Sequence, residues 1–255
     1  MKEDRYTRLR AIKEFGYDIN WDELKKKHIG IVGIGGLGCV SSEMAARCGI
    51  GTISLFDFDT VDEVNLNRNM FRLEHIGRSK VEVAADVLKL INPDIETRQF
   101  KSDIMFPMFE KTFEEQLSQM DLVLTGLDNL SAREFLNVKC VNLKIPYIDA
   151  GASRSGLSGY VHPIIPNKTA CARCIKSFSI SLPDERGEPC TASLPSTMAI
   201  LASIQVQEML KILLDFGELI DYLMYHMVTG TFSAYKTNRD INCSVCGHKA
   251  RKERI

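Results

Sequence analysis

The apolar run HIGIVG ends on Gly33, and Gly35, Gly36 and Gly38 follow at once; beyond them stand Asp57, Asn65, Arg68 and Lys80. Each glycine has a backbone task. Gly33 allows a tight turn, Gly35 lets phosphate oxygens approach the main chain, and Gly38 lets the next helix pack on a sheet. A helix starting there offers unpaired N–H groups and a positive dipole end to an anion. Asp57 closes a second apolar run, TISLF, where a carboxylate accepts hydrogen bonds from a ribose. Strand, glycine-rich turn, helix, strand and acid, in that order, form a nucleotide-binding layout. Asn65, Arg68 and Lys80 narrow it further. An amide, a guanidinium and an ammonium neutralise a triphosphate while one phosphorus is attacked, whereas hydride transfer needs no such cluster.

These side chains need a scaffold, and the pattern supplies one. Residues 38–50 and 79–91 read as crossover helices, the second with Ser79 and Glu82 spaced as a capping box that would put Lys80 at the helix start. The strand IETRQF leads to Asp103, a looser helical stretch covers 105–119, and the buried run DLVLTGL ends on Asp128 and Asn129. Ligands of open α/β sheets gather at the carboxyl ends of strands, so Asp57, Asp103, Asp128 and Asn129 are expected on one rim. A helix over 131–143 and the strand PYIDAG complete this half.

After PYIDAG the pattern changes. SGYVHPIIP and residues 221–236 read as added antiparallel strands, separated by a polar loop over 176–192 and an apolar helix over 195–214 opened by Pro195. Residues 1–27 read as a helical lead-in, with Tyr6, Leu9, Ile12 and Phe15 on one stripe and arginines elsewhere. The expected fold is α/β: a Rossmann-like, mostly parallel sheet flanked by helices, with antiparallel strands added.

Four of the eight cysteines form two C-x-x-C pairs, Cys171/Cys174 and Cys243/Cys246. Two such pairs complete a tetrahedral S4 set for zinc, and a closed shell of four thiolates is structural. Neither pair follows the strand-to-helix context of a redox motif. Cys39, Cys48 and Cys140 fall on helices and read as small buried hydrophobes. Cys190 lies in the loop DERGEPC, just before the Pro195 helix. Chemistry alone leaves it either a nucleophile or an ordinary loop thiol.

The chain of 255 residues is 45% hydrophobic and 25% charged, ordinary values for one large α/β domain. A net charge of −1, with no basic run resembling a nucleic-acid arm, argues against a nucleic-acid partner. No apolar stretch reaches the length of a membrane span and no signal-peptide core precedes the fold, so a cytoplasmic location without disulfides is expected.

GIGGLG, DFDTVDEVNLNR, GRSK, INPDIE and LDN, together with the paired C-x-x-C, resemble the ubiquitin-like-protein activating enzymes over nearly the whole chain. The sulfur-carrier adenylyltransferases of molybdopterin and thiamine synthesis share these motifs. RCGIGTISLFDFD, CTASLPSTM and LKILLDFG are most similar to the short homodimeric branch that activates ubiquitin-fold modifier 1. The resemblance implies a single adenylation domain over 1–255, with the lead-in at 1–27, a catalytic-cysteine crossover loop at 176–194 and a zinc-stapled tail at 237–255.

It also implies roles. Gly36 and Asp57 would contact adenosine and ribose, with Gly35 in the same nucleotide-binding turn; Asn65, Arg68 and Lys80 the phosphates of ATP; Asp128 Mg2+; Asn129 the nucleotide. Asp103 stands where the relatives have asparagine. Arg8 would reach the ATP site of a homodimeric partner, and Cys190 would carry a thioester with the modifier before a conjugating enzyme accepts it. Recruitment of that enzyme uses a longer tail in the relatives and is expected to differ here or to involve further sequence. The alternatives are a sulfur-carrier adenylyltransferase without an obligatory thioester, a nicotinamide-dependent dehydrogenase and a non-catalytic scaffold.

Overall fold

The computed structural model describes residues 3–67, 70–175 and 192–247. Eight strands form one sheet: β1 His28–Val32, β2 Thr52–Phe56, β3 Glu96–Phe100, β4 Leu122–Thr125, β5 Tyr147–Ala152, β6 Ser158–Ile164, β7 Tyr222–His226 and β8 Thr231–Tyr235. Their order is β3-β2-β1-β4-β5-β6-β7-β8. Pairings from β3 to β5 are parallel and those from β5 to β8 antiparallel. The chain steps from β1 outward to β3, then crosses back to β4 on the other side of β1. That reversal leaves a crevice at the carboxyl ends of β1 and β4.

The helices are α1 Thr7–Arg10, α2 Gly36–Cys48, α3 Lys80–Ile91, α4 Pro107–Leu117, α5 Leu130–Leu143 and α6 Pro195–Leu214. Alternation along the strands sorts them into two layers. Ile29, Ile31, Ile53, Leu55, Leu122 and Leu124 pack with α2, α3 and α6. Val32, Phe56 and Val123 face the other way, onto Phe113 and Leu117 of α4 and Leu136 and Cys140 of α5. Burial on both faces explains why β1, β2 and β4 read as apolar runs, while the edge strand β3, ETRQF, is polar and unburied.

Four local expectations change. The lead-in is mostly tight 3-10 turns, Ala11–Phe15 and Trp21–Lys26, after the single turn of α1, and Phe15 is exposed. Helix α2 begins two residues earlier than its apolar spacing suggests, because Gly35 is its N-cap, and it ends at the left-handed Gly49. Ser79 does precede α3, but its side chain makes no cap. Instead Ser79 bridges Thr60, and the Lys80 N–H donates to the Asp59 carbonyl, so backbone pairing fixes this helix start. Finally, α6 is long and apolar enough to cross a membrane by length and composition. It is a core helix here, with Leu201, Ala202 and Met209 fully buried.

A candidate nucleotide site and a thiolate centre

Backbone packing shapes the crevice. Gly33 has φ +91°, and its N–H donates to the Phe56 carbonyl at 2.8 Å. A side chain on Gly38 would come within 1.9 Å of the Gly33 carbonyl, and one on Gly126 within 2.5 Å of the same oxygen. The glycine turn, the start of α2 and the loop after β4 are therefore pressed together at backbone distance. Gly35 caps α2, whose first amides face no helical partner. Met198, in the first turn of α6, packs over Gly36.

Asp57, at the end of β2, accepts hydrogen bonds from the N–H groups of Ile34 (2.7 Å) and Asp59 (2.9 Å). Burial pushes its carboxyl up from the usual range, opposed by the nearby Lys80 charge and these two donors. Lys80 is buried at the start of α3, and its Nζ lies 2.6 Å from Asp59 Oδ2. Asn65 is buried as well. Its Oδ1 accepts from the Asp62 N–H at 3.0 Å in a tight turn that holds the segment between β2 and α3. The crevice thus has an anionic hydrogen-bond acceptor beside an ammonium.

On the β4 side, Asn129 caps α5 by accepting the Ala132 N–H at 2.8 Å, while Asp128 is exposed beside it. Asp103, beyond β3, turns its carboxylate onto the Met105 N–H at 2.9 Å. The ends of β2, β3 and β4 bring Asp57, Asp103, Asp128 and Asn129 to the same rim of the sheet. Arg68 and Cys190 lie outside the described residues. The chain just after Cys190 meets this rim, since Asn67 Nδ2 donates to the Ser193 carbonyl at 3.1 Å.

Arg8 is exposed and stands elsewhere. Its neighbour Tyr6 packs on Gly49 and accepts a hydrogen bond from Asn92 at 2.8 Å, so α1 docks at the far ends of α2 and α3. With 13 residues, α2 spans about 20 Å, which separates Arg8 from the glycine turn of its own chain.

A buried polar network escaped the sequence reading. Arg133, on α5, pairs with Asp149 of β5, and its other amino group donates to the Leu127 carbonyl. Tyr160 and Thr125 donate to the same carboxylate at 2.7 and 2.8 Å. The sequence signal was present in Asp149, a charged residue inside the otherwise apolar strand PYIDAG, because buried charges require partners.

Away from the crevice, Cys171, Cys174, Cys243 and Cys246 place all four sulfurs within 4.8 Å of one another. Neighbouring separations are 3.8, 3.7 and 3.3 Å. A tetrahedron of sulfurs about 2.3 Å from a central zinc has edges of about 3.8 Å, so the donor set fits that ion. The N–H groups of Asp240 and Val245 point at Cys174 and Cys243 at 3.4 Å, an arrangement that favours thiolates. The cluster joins the 170–174 loop to the segment after β8.

A model of the ThiF family matches residues 6–245 of the chain. The chain is 36% identical over 256 residues to ubiquitin-like modifier-activating enzyme 5 of Arabidopsis thaliana, covering 94% of this chain and 59% of that protein. The protein of the same name from Dictyostelium discoideum is 37% identical over 252 residues, covering 94% and 66%. The chain thus spans 59% to 66% of the length of these relatives. Among solved structures, E. coli MccB with ATP superposes with a TM-score of 0.82 at 24% identity, covering 96% of this chain and 75% of that one. PaaA gives 0.75 at 19% identity, covering 91% and 82%. At those identities the likeness is one of fold.

Proposed function

Because the chain belongs to the ThiF family, we propose that it activates a ubiquitin-like protein with ATP: it adenylates the modifier's C-terminal carboxylate, takes the acyl group on Cys190 as a thioester and passes it to a conjugating enzyme. The observation that carries this reading is the buried Lys80 ammonium beside Asp57 at the glycine turn. Ribose recognition and phosphate neutralisation then share one crevice. The names of the relatives at 36–37% identity support the same assignment.

In the first step, a carboxylate oxygen of the modifier attacks the α-phosphorus, the bond to pyrophosphate breaks, and an acyl-adenylate forms. The chain contributes position and charge. Gly35 and the N-terminus of α2 receive the phosphates, Gly36 and Asp57 take the adenosine and ribose, and Asp103 and Asn129 flank the nucleoside. Lys80 exchanges Asp59 for a phosphate oxygen, with Asn65 and Arg68 beside it. Asp128 would hold Mg2+, which supplies further neutralisation of the leaving pyrophosphate.

In the second step the Cys190 thiolate attacks the acyl carbon, the carbon–oxygen bond to AMP breaks, and AMP leaves. The contact of Asn67 with Ser193 supports an approach of this loop to the crevice. Zn2+ in the four-thiolate centre would be structural. The chain would act in the cytoplasm as a homodimer, with Arg8 completing the partner's ATP site.

Modifier-dependent ATP–pyrophosphate exchange, read together with a covalent-adduct assay, tests the whole scheme. Lys80→Ala is expected to lower exchange about 10²–10³-fold and to abolish the adduct with it. Cys190→Ala should abolish the thiol-sensitive adduct while exchange stays near wild type, because adenylation does not use the thiol. An adduct that survives Cys190→Ala at wild-type level would remove Cys190 from the reaction, and exchange with no thiol-sensitive adduct in the wild type would instead assign the chain to the simpler sulfur-carrier adenylyltransferases.

A further inference from the structure

We propose that Arg133, locked by Asp149 and Tyr160, is a positioning residue for adenylation: it fixes the short loop that presents Asp128 and Asn129 to the crevice. The inference rests on the proposed function only for what Asp128 does once it is fixed. The loop is four residues long, from Gly126 to Asn129, and is held at three points. Its first residue donates to the Val32 carbonyl at 2.7 Å and is wedged against Gly33. Its last residue caps α5. Between them the Leu127 carbonyl, one bond from Asp128, accepts from Arg133.

Arg133 lies one turn into the helix that the loop begins, so α5 folds back to grip its own entry. Its guanidinium is braced from the sheet. Nη1 donates to Asp149 and, at 3.1 Å, to the Tyr160 hydroxyl. Asp149 in turn accepts from Thr125 of β4, next to the loop. Gly151 leaves the space needed, since a side chain there would come within 2.9 Å of Nη2. Arg133 and Asp149 are 3% and 1% exposed. A buried ion pair adds little net stability compared with apolar packing. What the fork does add is a second arm, which a lysine lacks, reaching the loop carbonyl.

The test uses Arg133→Lys, which keeps a charge opposite Asp149 but loses the second arm. Hydrogen exchange of the 127–130 amides should speed up while the melting temperature stays near wild type. The Mg2+-dependent part of ATP affinity should weaken about 10–100-fold, the usual loss when an outer support of a metal-binding group is removed. ATP affinity without Mg2+ should fall much less, because Asn129 stays held by its cap on α5, and modifier-dependent exchange should lose kcat, with KM for the modifier unchanged. A folded Arg133→Lys with wild-type protection and wild-type Mg2+ response overturns the inference. Should that variant fail to fold, Tyr160→Phe removes one brace only; it should shift the same two readouts in the same direction, and no shift also overturns the inference. A wild-type protein whose loop ordering and Mg2+ response depend on Arg133 but which shows no modifier-dependent exchange sinks the proposed function and leaves this inference standing.

Discussion

His162 stands opposite Asp149 in the β5–β6 pairing, fully buried, with its ring centre 5.6 Å from that of Tyr222. Neither ring nitrogen makes a well-formed hydrogen bond among the described residues, the Ala170 backbone being the nearest polar influence. Burial pushes its pKa from 6.5 down to about 4, against the pull of the Asp149 carboxylate. Between those values the unfolded chain binds the extra proton and the folded one does not. Stability therefore rises with pH across this window and is lost as pH falls from 6.5 toward 4. His162→Phe keeps a ring and gives up only the weak interaction with the Ala170 backbone. It should unfold in urea like wild type at pH 7 and be more stable by about 2 kcal/mol at pH 5. An unchanged difference between the two pH values would show that the folded ring takes up its proton as readily as the unfolded one. Asp57 has the opposite sign. Its raised pKa means that the folded chain holds the proton more tightly, so its ionised form lowers stability at neutral pH at the position where a ribose would bind.

Among the elements, the segment after β8 is short of regular structure and leans on its thiols. Cys243, Val245 and Cys246 bury against the α4–α5 layer. Arg239 adds hydrogen bonds to the carbonyls of Asn167 and Cys246 at 2.8 and 2.7 Å. Without the proposed zinc, little would anchor this segment. Cys243→Ser, or chelation, is expected to release one equivalent of zinc and to lower the melting temperature by about 10 °C, the size expected if a few kcal/mol are lost. Hydrogen exchange should quicken over 237–247 and stay slow in β1 and β4. Full retention of thermal stability with no metal released would mean that the cluster is an apolar contact.

Across the whole chain, distance separates two of the charged groups. The glycine turn and α1 lie at opposite ends of α2, so within one chain Arg8 and Lys80 cannot serve one phosphate group. The proposed two-fold dimer would resolve this by bringing the lead-in of one protomer to the crevice of its partner. Arg8→Ala and Lys80→Ala should each be inactive alone. Mixed in equal amounts and allowed to exchange subunits, they should recover about a quarter of wild-type exchange activity, because half of the dimers are then mixed and each has one intact site. Mixed dimers that form without any recovery would remove Arg8 from the site.

Local pattern alone sets the α/β class and the succession of parallel strands along the chain, while their order in the sheet came from the structure. Glycine spacing, unbroken apolar runs and acidic strand ends are local consequences of a sheet buried on both faces. The same pattern also pairs the C-x-x-C cysteines, because thiol chemistry and the lack of a redox context leave few other uses. What needed the tertiary structure were contacts between residues far apart in the chain. Ser79 reads locally as a cap, yet its backbone bridges Thr60 and leaves the cap unused. Arg133 reads as one more helical arginine until β5 and β6 bring Asp149 and Tyr160 beside it. Lys80 carries its charge in the sequence, but only the return of α3 past Asp59 sets that charge next to Asp57. Local spacing records which backbone a segment favours; which side chains meet is decided when the sheet closes its layers and buried charges find their partners.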